Sequence, residues 1–156
     1  VYKRQMLALA AVLMAGSVAV NAQRRAMPVD QSELPAVAKE FVKKHFNGLT
    51  IAKYEKKFWS NSYEIELNDG TDIDFDSKGA CTEVSAPDHG VLAVSLVKEM
   101  LPEQACKTLA DKNMLDKVEE IQYSPTRGYQ VEVRHESIDD YRFSANGTMT
   151  RVTYDD

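Results

Sequence analysis

The chain repeats itself. Leu34-Pro35 opens one helical pattern and Leu101-Pro102 opens another 67 residues later. Tyr63 matches Tyr129 at an offset of 66, and Phe75, Gly79 and Val84 match Phe143, Gly147 and Val152 at an offset of 68. Offsets that drift by only one or two residues mark a tandem duplication with small loop insertions, so one supersecondary unit must explain both halves.

The first unit reads as a helix followed by four short strands. Ser32 is the expected helix N-cap, with Pro35 in the first turn, where its missing N–H has no intrahelical partner to lose. Leu34, Val37, Ala38, Phe41, Val42 and Phe46 recur at spacings of three and four, and Lys39, Glu40, Lys43 and Lys44 fill the other face. Asn47-Gly48 ends the helix, because glycine takes the left-handed position past a helix C-terminus without strain. Residues 51–58 form the next strand, and Tyr63, Ile65 and Leu67 then alternate with Glu64 and Glu66. Asn68-Asp69-Gly70 signals a hairpin. The chain returns through Ile73 and Phe75, turns at Lys78-Gly79 and leaves along Ala80, Thr82 and Val84, which this phase turns inward, with Cys81 outward.

The second unit predicts a helix over about 101–114 and strands near 117–123, 129–134, 139–144 and 148–154. Tyr129, Val131 and Val133 face inward, as do Tyr141 and Phe143. Each unit alone is small for independent stability. The expected fold is therefore α+β, with a shared antiparallel sheet and both helices on one face. The expected organisation is a leader over 1–22, a first repeat over 23–86, a linker over 87–100 and a second repeat over 101–156. Residues 91–100 read as an apolar lead-in that docks one unit on the other.

The leader rests on Lys3 and Arg4, an uncharged run from Met6 to Val20, and Val-Asn-Ala at 20–22, the pattern of a cleavable secretory signal. Its apolar core of about 15 residues is shorter than the roughly 20 that a spanning helix needs. Residues 23–156 then carry 17 basic against 24 acidic residues, a formal charge of −7. That balance, with no basic stripe, argues against nucleic acid or an anionic membrane as partner. Cys81 and Cys106 enter an oxidising compartment, which allows a disulfide or two separate thiols.

The most suggestive stretch for chemistry is DGTDIDFDSKG at 69–79. If Ile73 and Phe75 point into the core, Asp72, Asp74 and Asp76 share the opposite face, where they form either a solvated strand surface or a site for a hard cation such as calcium. A calcium loop of the EF-hand type fits only by half: counted from Asp72, position twelve is Glu83, but the position that needs glycine is Ser77, and strands replace the flanking helices. The sister strand has Asp140, Arg142 and Ser144 at the matching places, so it keeps the apolar positions and drops two of the three charges. His45, His89 and His135 lack metal-ligand spacing. No nucleophile, phosphate-loop or cofactor motif occurs, and the reading is of a non-enzyme.

For binding, KKFWSNSY at 56–63 sets Phe58, Trp59 and Tyr63 beside two lysines, and YSPTRGY at 123–129 offers Tyr123, Arg127 and Tyr129 at the corresponding place. Trp, Tyr and Arg are the usual anchors of protein interfaces. Phe58, Trp59, Tyr123 and Arg127 are thus candidate partner contacts. The alternative for the aromatics is that they close the end of the core, above all for Tyr63 and Tyr129.

The run LPAVAKEFVKKHF, then YEIELNDGTDIDFDSKG, then a degenerate second copy with RHESIDD in place of a short Asn-Gly hairpin, resembles the PepSY-like, β-lactamase-inhibitor-like family of exported bacterial proteins. The resemblance covers about 34–154. It implies tandem helix-plus-four-strand units like those of β-lactamase inhibitory protein, and a location in a Gram-negative envelope. It implies no enzymatic role, and hydrolase inhibition follows only by analogy of fold. The expected function is a periplasmic binding module, an inhibitor of or accessory to an envelope protein; the alternative is a cation or ligand sensor using the aspartate strand.

Overall fold

The computed structural model describes residues 34–134 and 138–154. The leader, Ser32 and His135 lie outside the described residues. The order of elements is α1 (Ala36–His45), β1 (Ile51–Lys56), β2 (Tyr63–Leu67), β3 (Asp72–Phe75), β4 (Cys81–Ser85), α2 (Val94–Met100), α3 (Glu103–Asp111), β5 (Val118–Ser124), β6 (Gly128–Arg134), β7 (Ile138–Phe143) and β8 (Met149–Tyr154). The eight strands form one antiparallel sheet in sequential order.

Both repeats begin alike. Pro35, in place of the expected Ser32, and Pro102 occupy the N-cap positions of α1 and α3, and their carbonyls accept from the amides of Ala38 and Lys39 and of Ala105 and Cys106. Lys43, Lys44 and His45 fill the last turn of α1, where positive charge complements the exposed carbonyls. The hairpin turns after β3 and β7 tuck against the starts of these helices. Gly79 and Gly147 both have φ of +85°; a Cβ on Gly79 would meet Val37 at 3.3 Å, and one on Gly147 would meet Pro102 at 2.8 Å. The repeated glycine thus serves both a left-handed turn and a close approach.

The register shows how the two repeats become one body. One row runs Tyr54, Ile65, Ile73, Val84, Ile121, Val131, Tyr141 and Val152, a single apolar residue from each strand. From Ile65 to Tyr141 every member is buried, and the two end members pack against the core from the edges. Ala38 and Val42 of α1, and Ala105 and Leu109 of α3, join the same cluster, so the helices share one face as expected. Within the segment 91–100, Val94–Met100 folds as α2 and inserts Leu96 and Val97 into that core. The segment's partial helicity escaped a reading based on apolar content alone.

Three phase assignments, those of Val37, Ala80 and Cys81, need correction. Val37 is 47% exposed, because α1 leans on Ala38 and Val42 and leaves Val37 at the margin. Cys81 pairs with Phe75, while Glu83 pairs with Asp74, so Thr82 is an extra residue in a β-bulge. The bulge reverses the phase: Cys81 packs towards the core and Ala80 is exposed. The second repeat has the same irregularity, with Phe143 opposite Met149 and Arg142 opposite Arg151. A bulge at the start of β1, between Ile51 and Lys53, likewise recurs between Val118 and Glu120.

Cys81 and Cys106 are free thiols, and the bridge held open by the sequence is not formed. Burial pushes the Cys81 thiol up to about 12, against an ordinary value of 9.0, and burial also raises Cys106. Cys106 sits on the buried side of α3 with its Sγ 3.8 Å from the Leu101 carbonyl.

Ile121→Ala removes a fully buried branched side chain at the inter-repeat junction and should cost about 2–5 kcal/mol in urea unfolding followed by circular dichroism. The transition should stay single, because both repeats use one core. In the native protein both thiols should resist Ellman's reagent at pH 8 and react fully in denaturant. Because the folded-state value of Cys81 is raised, its contribution to stability is complete below pH 9 and is lost as pH rises towards about 12. Cys81→Ala should flatten that alkaline loss.

Candidate functional site

The face of the sheet opposite the helices is formed by the polar members of the alternation. One row across all eight strands reads Glu55, Glu64, Asp74, Glu83, Gln122, Gln130, Arg142 and Arg151. It is acidic through the first repeat, neutral at the start of the second and basic at the last two strands. The adjacent row, Lys53, Glu66, Asp72, Ser85, Glu120, Glu132, Asp140 and Thr153, adds five more carboxylates.

Part of this charge is compensated within the face. Lys57 Nζ lies 3.2 Å from Asp74 Oδ2 and 3.4 Å from Glu64 Oε2. Burial acts to lower the Lys57 pKa, but the hydrogen bond and charge of Asp74, with Glu64, outweigh it and hold the ammonium above its ordinary value. Lys53 pairs with Glu66, and Arg134 with Glu119. At the junction of the repeats Gln122 donates to Glu83, and the Ser85 hydroxyl donates to Glu120 Oε2 at 3.1 Å.

Between β1 and β6 the face forms an open hollow of about 940 Å³. Eight carboxylates line it, from Glu64, Asp72, Asp74, Glu83, Asp88, Glu119, Glu120 and Glu132, against the two cations Lys57 and Arg134. His89 stands at its margin with Nδ1 3.4 Å from Arg134.

The aspartate strand divides. Asp72 and Asp74 are on the open face, half-buried, but Asp76 closes the β3–β4 turn, its Oδ1 accepting from the amides of Lys78 at 2.8 Å and Ala80 at 2.9 Å. Its phase carries it to the end of the strand, where a turn captures it. Among the described residues no group of three or more histidine, cysteine or carboxylate side chains is arranged to hold a metal ion.

The candidate partner contacts lie on one rim. The turns after β1, β3, β5 and β7 fall at the same end of an antiparallel sheet. Phe58 and Trp59, 91% and 93% exposed, form the tip after β1, and they follow directly on Lys57 at the wall of the hollow. Arg127 is exposed at the tip after β5. Tyr123 packs on Tyr129 with ring centroids 4.7 Å apart, half-buried. Four strand spacings, about 19 Å, separate the two tips, so the four residues flank one edge without meeting. Tyr63 is core, stacked on Phe75 at 5.0 Å. The extended acidic face escaped the sequence reading, although the alternating Glu64, Glu66, Glu83, Glu120 and Glu132 carried its signal.

Comparison with known proteins agrees with this architecture. Similar solved structures include a "putative periplasmic protein of unknown function" from Bacteroides vulgatus, with 23% identity, 80% of this chain and 95% of that one covered, and a TM-score of 0.65. A second B. vulgatus structure, described as a "putative periplasmic protein from DUF2874 family", has 23% identity, coverage of 81% and 94%, and a TM-score of 0.66. A Bacteroides thetaiotaomicron structure described as a "putative calcium-regulated periplasmic protein" has 23% identity, coverage of 81% and 94%, and a TM-score of 0.64. At these identities the likeness is one of fold. No curated protein matches the chain. No described helix is long and apolar enough to cross a membrane. The family model described as "Putative beta-lactamase-inhibitor-like, PepSY-like" matches twice, over residues 20–83 and 61–151, and the chain belongs to that PepSY-like family.

Proposed function

We propose that this chain is a non-catalytic periplasmic binding module that holds a lysine- or arginine-rich surface of an envelope protein across its open sheet face. The observation that carries the reading is the acidic hollow of about 940 Å³ beside the bare Phe58-Trp59 tip. A broad, water-open hollow suits a protein surface better than a small molecule, whose pockets are closed and mostly apolar. The excess of eight carboxylates over two cations selects basic chemistry and steers its approach. Phe58 and Trp59 supply apolar anchors next to the charged wall, with Arg127 and Tyr123 farther along the same rim. Export fits the leader-like segment at 1–22 and the periplasmic descriptions of the structural relatives.

A second reading makes Asp72 and Asp74 a calcium-responsive pair. It is favoured by the description of the B. thetaiotaomicron structure as calcium-regulated. In this chain a cation would have to displace Lys57 from Asp74, and Asp76 would have to leave its turn amides.

The test is a titration of residues 23–156 with a short basic peptide of alternating lysine and arginine, read by Trp59 fluorescence and calorimetry, and repeated with an envelope extract as bait source. Binding should weaken steeply with added salt. Trp59→Ala should weaken it about thirtyfold if the indole is an anchor, and Asp74→Asn with Glu83→Gln should weaken it further. Absence of peptide binding, together with a calcium-dependent rise in melting temperature abolished by Asp74→Asn, would overturn the module and establish the cation reading.

A further inference from the structure

The inner junction of the two repeats is a template for the outer edges of the sheet. At that junction β4 pairs with β5 through Glu83 with Gln122, Val84 with Ile121, and Ser85 with Glu120. The offsets of the duplication carry β4 onto β8 and β5 onto β1: Glu83, Val84 and Ser85 become Arg151, Val152 and Thr153, while Gln122, Ile121 and Glu120 become Glu55, Tyr54 and Lys53. Among the described residues β8 pairs only with β7, and β1 only with β2.

From this we propose that a second copy of the chain adds its β1 to the free edge of β8, antiparallel, in the register that β4 and β5 already use. In that register Arg151 lies opposite Glu55, Val152 opposite Tyr54, and Thr153 opposite Lys53. The first pair is oppositely charged, and the second continues the apolar row that crosses all eight strands of one molecule. The polar row, acidic at β1 and basic at β7 and β8, then meets its complement at the join.

Edge strands are protected by charge against indiscriminate association. With the apolar row kept continuous, joining β8 to β8 sets Arg151 opposite Thr153 and gains no charge pair, and joining β1 to β1 sets Glu55 opposite Lys53, a rival join that Arg151→Glu would leave intact. Arg151 and Glu55 are exposed and make no ion pair among the described residues, so neither must leave an intramolecular partner. The contact is head-to-tail, so it propagates rather than closing on a dimer. The join involves few pairs and is therefore weak. The proposal is independent of the basic-partner reading, because it uses the edges of the sheet and not its hollow.

Sedimentation velocity on residues 23–156, which retain every described element, tests it from micromolar to millimolar concentration. The parent should show mass rising with concentration past the dimer. Arg151→Glu and Glu55→Arg, each with an unchanged circular dichroism spectrum, should each weaken association by about fivefold or more, because like charges then face each other. Mixing the two variants should restore it, since Glu at 151 of one meets Arg at 55 of the other, and the reverse ends remain complementary. A parent that stays monomeric throughout, single variants that associate like the parent, or a mixture that fails to recover would each overturn the proposal.

Discussion

The pairing of β4 with β5 holds this molecule together, because neither repeat buries enough apolar surface by itself. Three residue pairs join the halves, and their inward member, Val84 against Ile121, makes two four-stranded sheets into one. Once joined, Ile65, Ile73, Val131 and Tyr141 belong to one continuous row, and α1, α2 and α3 all pack on the same face. The polar members of the junction are bonded side chain to side chain, Gln122 to Glu83 and Ser85 to Glu120, which fixes the register on the wet side as the valine and isoleucine fix it on the dry side. A slip of one residue would turn every core side chain to water.

That register also makes the surface. With the helices on one face, every alternate strand residue is delivered to the other, and the carboxylates scattered through both repeats are gathered into an open acidic hollow. Lys53, Lys57 and Arg134 relieve the densest of the repulsion. The duplication did not preserve charge: Glu83 has Arg151 as its counterpart, and Asp74 has Arg142. A solvated face is free of packing constraints, so two copies of one scaffold can carry a charge gradient from one edge of the sheet to the other.

The bulges show where local pattern and tertiary structure part. At Thr82 an extra residue reverses the alternation, so Cys81 packs inward where simple phase put it outward. No residue in Ala80-Cys81-Thr82-Glu83 announces the bulge. It is visible only when the pairing with β3 is known, and its recurrence opposite Phe143 shows that both repeats carry it. Asp76 has a similar lesson: spacing by two grouped it with Asp72 and Asp74, whereas the turn amides of Lys78 and Ala80 take it out of that group.

The repeat, the α+β class, the order of strands and of α1 and α3, and most of the core were legible in the chain alone, because periodicity of three to four in α1 and of two in β2, β3 and β6 follows from backbone geometry that each segment carries locally. The aromatic tip at Phe58 and Trp59 was legible for the same reason, lying between two alternating strands. The helicity of Val94–Met100, the inward turn of Cys81, the separate thiols and the assembly of the acidic face emerge only in the folded chain. Each of these depends on which strand lies beside which, and pairing between residues distant in the chain is set by the shared core rather than by any one segment.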